Sequence, residues 1–127
     1  MKTLVHISRL LLGLIFLVFG LNGFLHFIPA PMPTGIAGQF VGALFVSHFL
    51  SIVFALELIA GALLLVNRFI VLAIAILAPI LVNIVLFHAC MAPAGYAPAA
   101  VAVALWSILF YRERATFSAL LAARGIS

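Results

Sequence analysis

Four side chains able to exchange a proton or hydrogen-bond a ligand stand inside runs that are otherwise hydrocarbon. They are Asn22 and His26 in LVFGLNGFLHFIPAPMP, Glu57 in FALELIAGALLL and Asn83 in LAPILVNIVLFH. Insertion scales disfavour an acidic side chain at the centre of an apolar helix by about 2.5 to 3.5 kcal/mol, so Glu57 requires a partner or a proton, and acids so placed are functional by default. Asn22 and His26 are an i,i+4 pair and share one helical face. At a rise of about 1.5 Å per residue, Asn22 falls roughly 5 Å and Asn83 about 6 Å outward of the middle of their runs, within reach of a Glu57 side chain that points the same way. Gly61, one turn inward on the Glu57 face, permits close helix approach. The expected site is therefore Asn22, His26, Glu57 and Asn83, with Glu57 and His26 transferring protons and the two asparagines binding a ligand. The competing reading is packing, because asparagines bond neighbouring membrane helices at around 0.6 to 2 kcal/mol each and a protonated Glu57 can join them.

His26, His48 and His88 fall near the ends of apolar runs, and His88 opens the segment HACM with Cys90 and Met91. Imidazole and sulfur ligands suit zinc or copper, which makes His26, His88 and Cys90 an alternative metal set, with Met32 nearby. The spacing is not diagnostic, and histidines without a ligand are the preferred reading, so no metal is expected. One cysteine and no CxxC exclude an internal disulfide and a self-contained dithiol centre. No nucleophile elbow, phosphate-binding glycine loop or facing pair of deep histidines is visible, which argues against span-buried haem.

The elements that carry these residues follow from composition. Hydrophobic residues make up 69% of the 127 and charged residues 6%, against about 25% charged in soluble domains. A surface this poor in charge must meet lipid, and without strand-like alternation a spanning chain is helical. The expected fold is all-α, a single transmembrane domain built as a four-helix bundle. Spans are expected at about Leu4–Phe27, Ser47–Val66, Ile70–His88 and Ala94–Tyr111, with a surface tail over Arg112–Ser127. The basic, apolar start lacks a small-residue cleavage pattern and reads as a retained first helix. The prolines of IPAPMP stop the first span, and the run from Gly35 to Val66 is too long for one crossing. Its first part, GIAGQFVGALF, reads as an interfacial or re-entrant helix. Pro79 predicts a kink in the third span. Tyr96, Trp106 and Tyr111 read as interfacial anchors of the fourth, and Phe117, Leu120 and Leu121 as the apolar side of a helix lying on the membrane.

Lys2, Arg9, Arg68, Arg112, Arg114 and Arg124 all fall with the termini or the middle loop. The positive-inside rule then places both termini in the cytoplasm; the expected location is a bacterial inner membrane. The net charge of +4 comes from residues too few and too scattered to track nucleic acid.

SRLLLGLIFLVFGLNGFLHFIP, ELIAGALLLVNRF and LAPILVNIVLFH together resemble the DoxX-like small four-helix membrane proteins, grouped with the DoxD subunits, over Ser8 to roughly His88. Asn22, Glu57, Asn67, Arg68, Asn83 and His88 match that pattern, whereas His26 stands where another polar residue such as asparagine is more often expected. The group takes its name from a subunit of a thiosulfate:quinone oxidoreductase, so the resemblance implies a membrane subunit associated with quinone-linked redox chemistry. Asn22, His26 and Glu57 would then serve the quinone oxygens, Phe24, Phe27 and Phe87 would form the walls, and no cofactor would be covalently bound. The chain shows no electron carrier of its own, so a larger membrane complex or a homo-oligomer is the expected partner. The alternatives are a non-catalytic subunit or assembly factor, and small-solute or proton transport through Glu57.

Overall fold

The computed structural model describes residues 1–126, and these contain helices and no strand. In chain order the helices are α1 (Lys2–Leu25), α2 (Gly35–Val46), α3 (Phe49–Leu65), α4 (Ile70–Cys90) and α5 (Tyr96–Arg112). The short α6 (Arg114–Phe117) and a 3-10 turn (Ser118–Leu121) follow. Two helices, α1 and α4, are long and apolar enough to cross a membrane, and a third candidate arises if α2 and α3 are counted as one bent span. At 17 residues α5 is apolar but shorter.

Each boundary has a local cause. α1 stops at His26, whose backbone turns left-handed (φ 54°) just before Pro29, Pro31 and Pro33, none of which can donate to a helical ladder. The long Gly35–Val66 run is divided as its length demands: Ser47 and a left-handed His48 (φ 63°) separate α2 from α3, and the two axes bend by 81°. At the end of α3, Asn67 is left-handed (φ 58°), and the amides of Asn67 and Arg68 return to the carbonyls of Leu64 and Leu63 at 3.3 and 3.1 Å. This is a Schellman closure with asparagine in glycine's usual place.

α1 and α4 each pack against both α3 and α5, and α2 packs on α3. The deepest contact is between α1 and α3. There a Cβ on Gly61 would meet the backbone nitrogen of Leu17 at 2.6 Å and the carbonyl oxygen of Gly13 at 2.8 Å. The two backbones approach this closely because neither carries a side chain at the crossing. Leu12, Phe16, Ala60, Leu64, Ile74, Leu77, Leu81, Ala102 and Leu109 form the core between the four helices.

Polar groups tie helix ends and neighbours together. Arg9 of α1 donates from Nη1 to the carbonyls of Leu64 and, at 3.2 Å, Leu65, placing a cation on the negative end of α3. In α4, Pro79 leaves the Ala75 carbonyl without its helical donor. One residue before it, the Ile74 carbonyl accepts the indole N–H of Trp106 at 3.0 Å. Trp106 is thus a half-buried link between α5 and α4. Two expectations change. The first helix ends at Leu25, not Phe27, and the tail is no continuous surface helix: Phe117 turns back onto Phe110 with ring centroids 5.1 Å apart, while Leu120 and Leu121 stay exposed.

Candidate functional site

Glu57 belongs to a stripe of α3, Leu50, Phe54, Glu57, Gly61 and Leu64, whose alternating spacings of four and three keep it on one face. That face meets α1 at the glycine crossing, so Glu57 is drawn inward with it and is only 6% exposed. Its Oε2 has no hydrogen-bond partner. Between Glu57 and the proline loop the helices part around a cavity of about 1050 Å³. Ile15, Phe16, Phe19, Asn22 and His26 line it from α1 and its cap, Phe54 and Glu57 from α3, Ile84 and His88 from α4, and Ala99 and Ala102 from α5. Val41 and Phe45 of α2 close one side, and Ile28 to Pro31 of the proline loop another. The 81° bend is what swings Phe45 over the cavity.

The lining is apolar apart from four side chains: Asn22, His26, Glu57 and His88. Asn22 is committed to the loop. Its Oδ1 accepts the Ile28 amide at 2.6 Å and its Nδ2 donates to the Ile28 carbonyl at 3.4 Å, which leaves one N–H of the amide free. His26 is not the second rung of a helical ladder, because its left-handed cap conformation takes it out of α1. It is exposed, with its ring 6.4 Å from that of Phe45. His88 is half-buried, and its Nδ1 lies 3.0 Å from the Ala92 carbonyl. A carbonyl can only accept, so Nδ1 carries the proton and Nε2 is left to accept a hydrogen bond or take up a second proton.

The structure thus brings Asn22, His26 and Glu57 to one cavity, adds His88, and leaves Asn83 outside. Asn83 is exposed, and its Nδ2 donates to the Pro79 carbonyl of its own helix at 2.9 Å. That bond uses one N–H of the amide, and the side chain stays on the exposed face of α4, away from the cavity. The expected aromatic walls are also displaced. Phe24 and Phe27 are 46% and 52% exposed, and Phe24 meets Phe54 edge-on from outside the cavity at 6.3 Å. Phe87 stacks on Phe40 of α2 at 5.9 Å. Phe16, Phe19, Phe45 and Phe54 take the place of those walls.

His88 joins the site because it lies on the inward stripe of α4, which the sequence alone does not single out since the helix is apolar almost all round. Ile74, Leu77, Leu81, Ile84 and His88 continue one three-and-four stripe of α4, from which Asn83 departs by one residue. Among the described residues no three His, Cys, Asp or Glu side chains come together to hold a metal, so His26, His88 and Cys90 are not assembled as a ligand set. Comparison with family models, with curated proteins and with solved structures finds no match to this chain.

Proposed function

We propose that the chain is a four-helix bundle of the bacterial inner membrane, DoxX-like, with both termini in the cytoplasm. Its cavity takes the head group of a quinone, and the chain serves as the membrane subunit of a redox complex. The observation that carries this reading is a buried carboxylate with an unpartnered oxygen at the base of an aromatic-lined cavity. Small-ligand sites generally measure about 300 to 1,000 Å³, with apolar walls and a few convergent polar groups. Full reduction of a quinone adds two electrons and two protons, one proton to each carbonyl oxygen. In this reading a protonated Glu57 donates one proton to one oxygen, and His88, held by Ala92 on its Nδ1 side, first takes up a proton at Nε2 and then passes that proton to the other. His26 at the rim returns protons from the aqueous side. The electrons come from a partner protein, which makes the chain a subunit rather than a self-sufficient catalyst.

One observation favours a second reading, a non-catalytic or assembly subunit. Asn83 stands exposed beside Val82 and Leu86 on the outer face of α4, where a polar amide suits a partner helix better than lipid. Purification in mild detergent followed by lipid extraction separates the two. The quinone reading expects stoichiometric quinone that is lost on Glu57→Gln. A quinone-free protein that holds the same larger complex with or without Glu57 would support the assembly reading and overturn the first.

A further inference from the structure

At the end of the molecule away from the Glu57 cavity lies a second, smaller cleft of about 270 Å³. Three separate elements build it: Lys2, His6 and Arg9 from the first turns of α1, Asn67 from the turn before α4, and Arg112 and Glu113 from the end of α5. Three permanent cations against one carboxylate give it a positive field, and its apolar floor is continuous with α4 and α5 through Ile70 and Leu109. Arg9 is fixed there by the α3 carbonyls that its Nη1 serves. Its fixed guanidinium adds a charge to the cleft that costs no further ordering on binding.

We infer that this cleft binds a phosphate-bearing anion, presented by an acidic phospholipid whose acyl chains lie along the outer faces of α4 and α5. A phosphate diester fits this chemistry: charge for Lys2, Arg9 and Arg112, amide and imidazole donors from Asn67 and His6, and hydrocarbon alongside for the chains. The site is independent of the quinone reading and requires only that the helices stand in a bilayer. Its occupancy would join α1, the α3–α4 turn and α5 at one end, as the glycine crossing joins α1 and α3 at mid-length.

The test is native mass spectrometry of the detergent-purified chain titrated with dioleoylphosphatidylglycerol, dioleoylphosphatidylcholine and inorganic phosphate in parallel. Phosphatidylglycerol should bind at least tenfold more tightly than phosphatidylcholine. Each cation removed should weaken it roughly fivefold, so Lys2→Gln with Arg112→Gln should weaken it by about 25-fold. Arg112→Lys should keep most of the affinity. Arg68→Gln with Arg124→Gln removes the same charge from residues outside the cleft and should leave binding unchanged. Equal binding of the two lipids, or equal losses from the two double variants, would overturn the proposal. Binding of inorganic phosphate at the concentrations that suffice for phosphatidylglycerol, with no lipid retained, would overturn the lipid assignment.

Discussion

Replacement of Gly61 by alanine tests whether the α1–α3 crossing holds the molecule together. The added Cβ would stand 2.6 Å from the Leu17 nitrogen and 2.8 Å from the Gly13 oxygen, where ordinary contact begins at 3.4 Å. Both obstacles are backbone, so no side chain can rotate away and α1 must retreat by roughly 0.6 to 0.8 Å. A gap of about that size forfeits a quarter to a half of the dispersion energy of the atoms beside it. Overpacking of this kind generally costs about 1 to 3 kcal/mol. Gly61→Ala should therefore destabilise the protein by about 2 kcal/mol, and Gly61→Leu should prevent folding. Gly42→Ala is the control, since nothing lies within 4 Å of a Cβ there; in a helix it should be neutral or stabilising by up to about 1 kcal/mol. Reversible unfolding of the chain in mixed micelles, followed by circular dichroism, gives the comparison. Gly61→Ala with wild-type stability would refute the close crossing and the inward placement of Glu57 that depends on it.

Asn22→Leu removes both bonds to Ile28, and the Ile28 amide should exchange with solvent roughly five- to tenfold faster, read by hydrogen exchange. Trp106→Phe keeps an aromatic side chain and removes the bond to the Ile74 carbonyl, and that bond accounts for an expected loss of about 0.6 kcal/mol and at most about 1.7 in the same unfolding assay. Nitrogen NMR of labelled His88 should show the proton on Nδ1, and the opposite tautomer would contradict its contact with Ala92.

Much of this arrangement was legible where periodicity governs. Glu57 and Gly61 mark the inward face of α3 in the sequence, and the excess length of the Gly35–Val66 run demands a break that His48 supplies. Asn83 misleads for a physical reason. A polar residue in an apolar helix implies an inward face only when its own helix offers it no partner, and here the Pro79 carbonyl takes one of the amide's N–H groups. His26 shows the limit of helical-wheel reasoning at a terminus, because its i,i+4 relation to Asn22 holds only while the helix continues, and the chain turns left-handed at that residue. Phe45 reaches the cavity through the 81° bend between α2 and α3, an angle that no residue pattern encodes. The aromatic walls were consequently the least legible part of the site.

The most direct measurement of the central claim is photolabelling in membranes with a quinone analogue that carries a photoreactive group on its ring. The account predicts cross-links on the cavity lining, in peptides containing Phe16, Phe19, Phe45, Phe54 or His88, that excess unlabelled quinone competes away and that Glu57→Gln diminishes. Labelling confined to Phe24, Phe27 and the outer face of α4, or insensitive to both competitor and Glu57, would contradict it.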